Sequence, residues 1–337
     1  MVLSLAGCGN TANSGTPGST PTAPSTPTTP NNADTPKGET YNVSLGHVMA
    51  PDSPAGMAAD RFAELVSEKT GGTVTISVYP NSQVGGDRDM IENQQIGSLE
   101  FSLPGTSIYS QFEPVLGTFC LPFLYSDYDQ AHTVLDNSDV MALYDCTQNQ
   151  SITTLTTFES GFRQLGTNRE VNALSDLRGL IIRIPQGDIY TQTWSALGVN
   201  GTPLAWNELF SALQTGVVDG EEAPLSNFAA SGFGEVCKHF AYINYAYDPL
   251  MLTVSNAFWN KLTDEQKSAI TEAAYEARDY CRQLNADAEA SLEASLKDEW
   301  GVSFTNPDLS EFRSAVQSVY ENWTYPDALA VIQGAIK

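Results

Sequence analysis

The fold of this chain is decided by residues 174–224, which read LSDLRGLIIRIPQGDIYTQTWSALGVNGTPLAWNELFSALQTGVVDGEEAP. Within them, Arg183 lies in the apolar run LIIRI, which predicts a short strand that ends at Pro185. An arginine side chain does not become neutral, so a half-buried guanidinium requires an anionic partner, and its planar shape suits a carboxylate. Arg183 therefore predicts a carboxylate contact.

That carboxylate could belong to the protein or to a bound molecule. Internal ion pairs outnumber ligand sites in proteins, so the pattern by itself favours a structural pair. Four acidic residues of the same stretch could provide the internal partner: Glu208, Asp219, Glu221 and Glu222.

Two segments of the stretch, LSDLRGLIIRIP and ALGVNGTPLAWNELFSALQTGVVDG, resemble the substrate-binding proteins of tripartite ATP-independent periplasmic (TRAP) transporters, the DctP family. The resemblance extends to GHVMAPDSP, YPNSQVGGDRDMIENQQIGSLEF and FCLPFLYSD, and so covers nearly everything after residue 38. It implies that Arg183 holds a ligand carboxylate and that Arg163 and Trp206 also lie at the ligand. From the pattern alone, Arg163 would be a surface residue after a strand and Trp206 a core residue, and both alternatives stay open.

The chain departs from this family at two positions. It reads DGEEAP where the family usually reads DGQENP, so Ala223 replaces an asparagine that commonly hydrogen-bonds the ligand carboxylate. Either another group, such as Arg163, supplies that contact, or the ligand lies differently. Gly105 stands where sialic-acid receptors of the family carry an acidic ligand contact, which disfavours sialic acid as the ligand.

The composition excludes several kinds of partner. The 337 residues can bury a sizeable core, and their number predicts about two domains. Only 16 Lys and Arg stand against 40 Asp and Glu, a formal net charge of -24, so the chain repels nucleic acid and anionic membrane surfaces. An acidic ligand must therefore meet a local positive site, which makes each arginine in an apolar context informative.

The N-terminal residues predict attachment to a membrane by lipid alone. Leu5, Ala6, Gly7 and Cys8 resemble a bacterial lipobox, with Cys8 as the lipidated residue, although a chance cysteine is the alternative. Too little precedes Cys8 for a secretory signal, so we expect the true start to lie upstream. Residues 9–38 are rich in Pro, Thr, Ser and Asn and predict a disordered tether. The expected location is extracytoplasmic, at the bacterial cell surface or in the periplasm.

Neither a cofactor nor a metal site is expected. The three histidines and five cysteines show no zinc-type spacing. The four later cysteines, which could form two disulfides or stay free, are Cys120, Cys146, Cys237 and Cys281. A hydrolase would need a pair of acids facing one bond, but Glu221 and Glu222 are adjacent, and neighbours on a strand point to opposite faces. We therefore expect no enzyme activity.

The order of elements predicts an α/β fold with a mostly parallel sheet. Alternating segments predict strands at 41–45, 73–79 and 99–103, separated by helices that begin at Pro54 and Asp87. A helix is predicted over 128–149, and strands over 151–158, 180–184 and 250–255. Thr263 and Gln266 form a capping box for a helix of about 36 residues that ends at Gly301 and is about 54 Å long.

The resemblance implies a two-lobed periplasmic-binding-protein-like fold, in which each lobe is a β-sheet flanked by helices and the long helix spans both lobes. The expected divisions are a lipoprotein signal remnant at 1–8, the tether at 9–38, a first lobe formed by 39–160 with 249–288, and a second lobe formed by 161–248 with 289–337.

The expected function is that of an extracytoplasmic solute receptor that delivers an organic acid to TRAP membrane subunits and acts as a monomer. A sugar acid such as a hexuronate suits the predicted cleft, because hydroxyls need polar partners and a ring face needs an aromatic. The predicted ligand-binding residues are Arg183, Arg163, Trp206, His47, Glu222 and Tyr245. A C4-dicarboxylate or keto acid is the alternative ligand, and a surface lipoprotein receptor or adhesin without transport is the alternative function.

Overall fold

The structure is a computed structural model that describes residues 38–336, except for the side chains of Glu289 and Ala290. The predicted lipidation site Cys8 and nearly all of the predicted tether lie outside the described residues. The strands are β1 Tyr41–Gly46, β2 Val74–Tyr79, β3 Phe101–Ser102, β4 Ile152–Thr167, β5 Ile182–Ile184, β6 Gly201–Pro203, β7 Gly220–Ala223, β8 His239–Ser255 and β9 Ser303–Thr305.

Thirteen α-helices are present in this part of the chain. They are α1 Pro54–Lys69, α2 Asp87–Gln95, α3 Thr106–Tyr109, α4 Tyr128–Leu135, α5 Ser138–Met141, α6 Asp188–Ala196, α7 Trp206–Gln214, α8 Leu225–Ala230, α9 Asn256–Trp259, α10 Asp264–Trp300, α11 Ser310–Ala315, α12 Gln317–Glu321 and α13 Pro326–Ala335. Short 3₁₀ helices cover Pro114–Cys120, Ala142–Gln150, Leu174–Leu177 and Phe233–Glu235. The predicted α/β class is confirmed.

The strands form one continuous sheet in the order β2-β1-β3-β8-β4-β7-β5-β6, with β9 paired to β8. At one end, β1 is parallel to β2 and β3, and at the other, β5 is parallel to β6 and β7. Between them, β8 and β4 run antiparallel to each other and to the flanking strands β3 and β7. The prediction of a mostly parallel sheet therefore holds for two outer groups of strands, but not for the centre.

The central strands β4 and β8 are much longer than predicted, at 16 and 17 residues. The sequence prediction ended β4 at Phe158, because the following residues, Glu159, Ser160 and Gly161, are polar or small. In the structure Glu159 is buried and accepts a hydrogen bond from Tyr247, and the register shift at Gly161 lets the strand continue. Two of the three predicted lobe boundaries, at 160/161 and 248/249, fall inside these strands, and the third, at 288/289, falls inside α10.

The long helix α10 agrees with its prediction at both ends. The Thr263 side chain accepts a hydrogen bond from the backbone N–H of Gln266, and Gly301 ends the helix in the left-handed conformation. Its first half packs Ile270 and Cys281 into the core beneath β1 and β3, while Leu296 packs into a second core formed by α7, α8 and β8. The helix therefore joins the two outer parts of the sheet.

The helix predicted over 128–149 is interrupted. Helix α4 ends at Leu135, and the side chain of Asn137 accepts hydrogen bonds from the backbone N–H groups of Asp139 and Val140 to begin α5. Asparagine is a strong helix N-cap, so the chain turns here instead of continuing.

The four cysteines between Cys120 and Cys281 are free thiols, which settles the disulfide alternative in this structure. Among residues 38–336, no helix is both long and apolar enough to cross a membrane.

Candidate ligand-binding site

A cavity of about 300 Å³ lies where the outer groups of strands meet β4 and β8. On one side it is lined by residues after β1 and β3 and by the start of α2, and on the other by β5 and the start of α7. Ligands of α/β proteins bind at the carboxyl ends of parallel strands, which is where the loops after β1 and β3 lie. Its polar and charged lining residues are Asp87, Arg88, Asp89, Ser107, Arg163, Arg183, Gln186, Asn207, Glu208, Asn227 and Asp248.

Arg183 lies at the centre of this lining. Its neighbours in β5, Ile182 and Ile184, are fully buried in a hydrophobic core, so the alternation of the strand turns Arg183 to the opposite face. Its Nε and Nη2 donate to the carbonyl oxygen of Leu204 at 3.0 and 2.8 Å. Its Nη1 has no hydrogen-bond partner in the described part of the chain, although the side chain is almost completely buried.

None of the four predicted internal partners forms an ion pair with Arg183 within residues 38–336. Glu208 accepts from the backbone N–H of Ala205 at 3.2 Å, and Asp219 accepts from that of Ile181 at 2.9 Å. Glu222 pairs with another arginine, and neither oxygen of Glu221 has a partner in the described residues. The internal-pair alternative for Arg183 is therefore wrong.

The guanidinium of Arg183 is a buried cation without a hydrogen-bonded anion. Burial lowers its pKa to about 10, and the nearby charge of Glu222 opposes that change. The group is therefore still positive at neutral pH. Its Cζ lies 5.4 Å from the centre of the Trp206 ring, which also lines the cavity and gives the cation a favourable aromatic face.

Arg163 is buried inside β4, so the alternative of a surface position after a strand is wrong. Its Nε and Nη2 donate to the carboxylate of Glu222, and the bond from Nη2 is 3.0 Å long. Its Nη1 donates to the carboxylate of Asp248. Arg163 lines the cavity, but two internal carboxylates already neutralise it. It therefore differs from Arg183 in having its anions supplied by the protein.

The other predicted site residues are divided between the cavity and the layer behind it. Trp206 lines the cavity and also packs against Phe233, with ring centres 5.3 Å apart, so both of its predicted roles are present in part. Glu222 and Tyr245 do not line the cavity; they are buried behind it, where the Tyr245 hydroxyl donates to Glu222.

His47 is completely buried and does not line the cavity. Burial lowers its pKa to about 4, so it is neutral at physiological pH. The structure thus places the predicted arginines and Trp206 together at the cavity, and leaves His47, Glu222 and Tyr245 outside the lining.

Three aspartates of the lining, Asp87, Asp89 and Asp248, were not predicted from sequence. Asp87 begins helix α2, where an acidic residue is normally explained by the helix dipole, and Asp248 lies inside β8 in a polar-looking YDP segment. Oδ1 of both Asp87 and Asp248 has no hydrogen-bond partner among the described residues. Burial, followed by the charge of Asp248, raises the pKa of Asp87 to about 7, while Arg183 lowers it.

Ala223, which replaces the asparagine of the family pattern, is fully buried in β7 and pairs with Gln164 of β4. Asn227, four residues later, lines the cavity from α8, and its amide donates to Ser160. The structure therefore has an asparagine at the cavity, though not at the position that the family pattern indicates.

The sequence is similar to known proteins along most of its length. The family model described as bacterial extracellular solute-binding protein, family 7 (DctP) matches residues 45–326. The chain is 30% identical over 266 residues to the C4-dicarboxylate-binding periplasmic protein DctP of Rhodobacter capsulatus, which covers 78% of this chain and 79% of that protein.

Two solved structures are similar along almost the whole fold. A TRAP periplasmic solute-binding protein from Polaromonas sp. JS666, bound to D-erythronate, superposes with a TM-score of 0.84 at 30% identity. The alignment covers 88% of this chain and 98% of that protein. The sugar acid binding protein DctPAm from Advenella mimigardefordensis, in complex with galactonate, superposes with a TM-score of 0.84 at 28% identity. This alignment covers 89% of this chain and 98% of that protein.

Proposed function

This chain belongs to family 7 of the bacterial extracellular solute-binding proteins, the receptors of TRAP transporters, and from that premise we propose that it binds an organic acid whose carboxylate is held by Arg183. Members of this family are extracytoplasmic receptors and not enzymes. The proposed ligand class is the sugar acids, with the carboxylate at Arg183 and the rest of the molecule in the cavity.

The observation that carries this proposal is that Nη1 of Arg183 has no hydrogen-bond partner among residues 38–336. A buried donor without an acceptor costs about 1–3 kcal/mol of folding free energy, and more when it is charged. Such a donor is understandable at a binding site, where the ligand provides the acceptor. Leu204 already fixes the direction of the guanidinium from its other edge. A ligand carboxylate at Nη1 would supply both the missing acceptor and a hydrogen-bonded negative charge.

The sugar-acid class is supported by the two similar structures, which hold D-erythronate and galactonate. The polar lining of the cavity and the ring of Trp206 suit a hydroxylated molecule. A C4-dicarboxylate is the second candidate, because the relative from Rhodobacter capsulatus is named for that ligand.

Binding would be coupled to closure of the cavity. Residues on both sides of it come from different outer groups of strands, so a ligand that contacts both sides binds the closed arrangement better and increases its population. We propose that the closed receptor delivers the acid to TRAP membrane subunits, that it is held to the membrane by lipid at Cys8, and that it acts as a monomer.

The test is a comparison of Arg183→Ala with the wild type in isothermal titration calorimetry against D-erythronate, galactonate and succinate. Truncating one partner of a buried charge pair costs about 2–5 kcal/mol, so we expect the affinity for every acid that binds to fall at least about thirtyfold. Arg178→Ala, at an exposed arginine five residues away, is the matched control and should leave affinity unchanged.

The melting temperature without ligand separates a binding defect from a folding defect. Arg183→Ala should melt close to the wild type, because it removes a buried charge that lacks an ion pair among residues 38–336. Unchanged affinity in a folded Arg183→Ala protein would show that Arg183 is structural. If no acid binds the wild type, the receptor proposal fails.

A further inference from the structure

We propose that the cavity contains a second subsite, formed by Asp87 and Asp248, which binds hydrogen-bond donors of the ligand and selects hydroxylated or amino carboxylic acids over dicarboxylic acids. This inference rests on the proposed function, because it concerns the part of the ligand that lies away from the carboxylate at Arg183.

The first observation is that two carboxylate oxygens at this cavity lack donors. Asp248 is 5% exposed, and its Oδ2 binds Arg163, whereas its Oδ1 has no partner in the described part of the chain. Oδ1 of Asp87 is also buried and without a partner there. Both residues line the same cavity as Arg183.

The second observation gives the direction of the Asp248 oxygen. A Cβ atom built on Gly105, which also lines the cavity, would lie 4.0 Å from Asp248 Oδ1. Gly105 has no side chain, so nothing from that position covers the oxygen. A buried carboxylate oxygen that faces a cavity requires a donor, and in this cavity a bound molecule can supply it.

The third observation is that the two aspartates line one cavity of about 300 Å³ together with Arg183. Burial, followed by the charge of Asp248, raises the pKa of Asp87, and the charge of Arg183 lowers it. The lining also includes Arg88, Arg163, Asp89 and Glu208. Among its carboxylates, however, only Asp87 and Asp248 have a buried oxygen without a donor in the described residues.

This arrangement discriminates between the two candidate ligand classes. Hydroxyl or ammonium groups donate to Asp87 and Asp248, and so complete the buried oxygens. A second carboxylate has no proton to donate at neutral pH, so it would leave both buried oxygens unpaired. A site that binds hydroxyl groups rejects analogues without them by large factors, because its own polar groups are then left unpaired.

The first experiment keeps the chain length and one carboxylate constant and changes the other substituents of the acid. Calorimetry would compare D-erythronate, 4-aminobutyrate, succinate and butyrate, and a longer set of galactonate, adipate and hexanoate. We expect a donor-bearing acid to bind at least about a hundredfold more tightly than the dicarboxylate or the simple acid of the same length. Erythronate and 4-aminobutyrate distinguish hydroxyl donors from an ammonium donor.

The second experiment replaces the Asp87 carboxyl group by an amide. We expect Asp87→Asn to reduce the preference for donor-bearing acids over dicarboxylates at least about tenfold, because the amide NH₂ can donate to a second carboxylate. Asp188→Asn is the matched control: Asp188 begins α6, a nine-residue helix like α2, but is exposed and lies outside the cavity lining. Asp188→Asn should leave the preference for donor-bearing acids over dicarboxylates unchanged.

Asp248→Asn supplies a second variant, with its folding checked by thermal melting because Asp248 also binds Arg163. The subsite is refuted if succinate or adipate binds as tightly as the hydroxylated acid, or if Asp87→Asn leaves the preference unchanged. Acids that bind without such a preference would refute this inference alone. Binding of no acid at all would refute the receptor function with it.

Discussion

The two buried arginines at the cavity differ in what surrounds them. Arg163 has internal carboxylates on two sides, from Glu222 and Asp248, while Arg183 contacts a carbonyl oxygen and has one donor group without a partner in the described residues. A buried charge with its counter-charges supports the fold, and a buried charge without them supports binding. The same residue type therefore has two separable roles here.

We predict that Arg163→Ala destabilises the fold by about 3–5 kcal/mol, because Glu222 and Asp248 would remain buried without their cation. Urea denaturation measures this loss. In the same assay Arg183→Ala should lose much less unfolding free energy. The loss in Arg163→Ala should become smaller at acidic pH, where Glu222 and Asp248 become protonated. Equal losses for both arginines would contradict the assignment.

A second prediction concerns Glu221, a fully buried acid whose two oxygens lack partners among residues 38–336. Burial, and then the charge of Glu222, raises its pKa from 4.5 to about 8. The folded protein therefore holds this proton more tightly than the unfolded chain. The stabilisation is complete below about pH 4.5 and is lost as the pH rises through about 8.

Glu221→Gln replaces the acid by a neutral group of the same shape, and so removes this pH dependence. Between pH 5.5 and 7.5 we expect the wild type to lose about 2 kcal/mol of unfolding free energy relative to Glu221→Gln, since one shifted group contributes up to about 1.4 kcal/mol per pH unit. Parallel stability curves for the two proteins would show that Glu221 is ionised in the fold.

At the scale of the element, helix α10 is defined by its ends. Thr263 and Gln266 exchange hydrogen bonds at the first turn, and Gly301 adopts φ +66° after the last. Both ends were predicted from sequence because caps are local: they depend on residues within one turn of each other. Its packing in two separate cores then makes one helix support both sides of the cavity.

We predict that Gly301→Ala destabilises the protein by about 1 kcal/mol. No atom lies within 4 Å of the added Cβ, so the cost comes from the left-handed backbone and not from a clash. Gly334→Ala in α13 is the control, since its Cβ is equally unobstructed, its φ is not positive, and alanine favours a helix. Thermal melting should show a loss for the first variant and none for the second.

The central strands show where local patterns fail. Glu159 and Asp248 interrupt the apolar alternation of β4 and β8, and each is buried because its partner, Tyr247 or Arg163, comes from elsewhere in the chain. A polar residue that is satisfied by a distant partner looks like a strand end in the sequence. For this reason the sequence pattern predicts a β4 that ends at Phe158, before Arg163, whereas the strand extends to Thr167.

At the scale of the whole molecule, the net charge of -24 opposes the approach of an anionic ligand. Salt screens this repulsion, since the screening length falls from about 30 Å at 0.01 M to about 8 Å at 0.15 M. We predict that the association rate of an acid that binds rises at least about twofold over this range. Stopped-flow tryptophan fluorescence measures the rate, and a rate that falls with salt would mean that the arginines dominate the field.

The sequence by itself determined the features that depend on neighbouring residues. The α/β class, the family resemblance, both ends of α10 and the importance of Arg183 all follow from local runs such as LIIRIP or from caps within one turn. A carboxylate of a bound molecule was one of the two partners that the sequence allowed for Arg183. What remained open was the identity of its partner.

Only the tertiary structure decided which charges meet. Glu222 is one residue from Glu221, yet it binds Arg163, which is 59 positions earlier in the chain, while Glu221 has no partner within residues 38–336. The acceptor pair Asp87 and Asp248 comes from a helix start and a strand interior, with 160 residues between them. The pairing of strands in the sheet sets the distances between these charges. A local sequence pattern does not predict them, because electrostatic interaction depends on distance in space and not on separation along the chain.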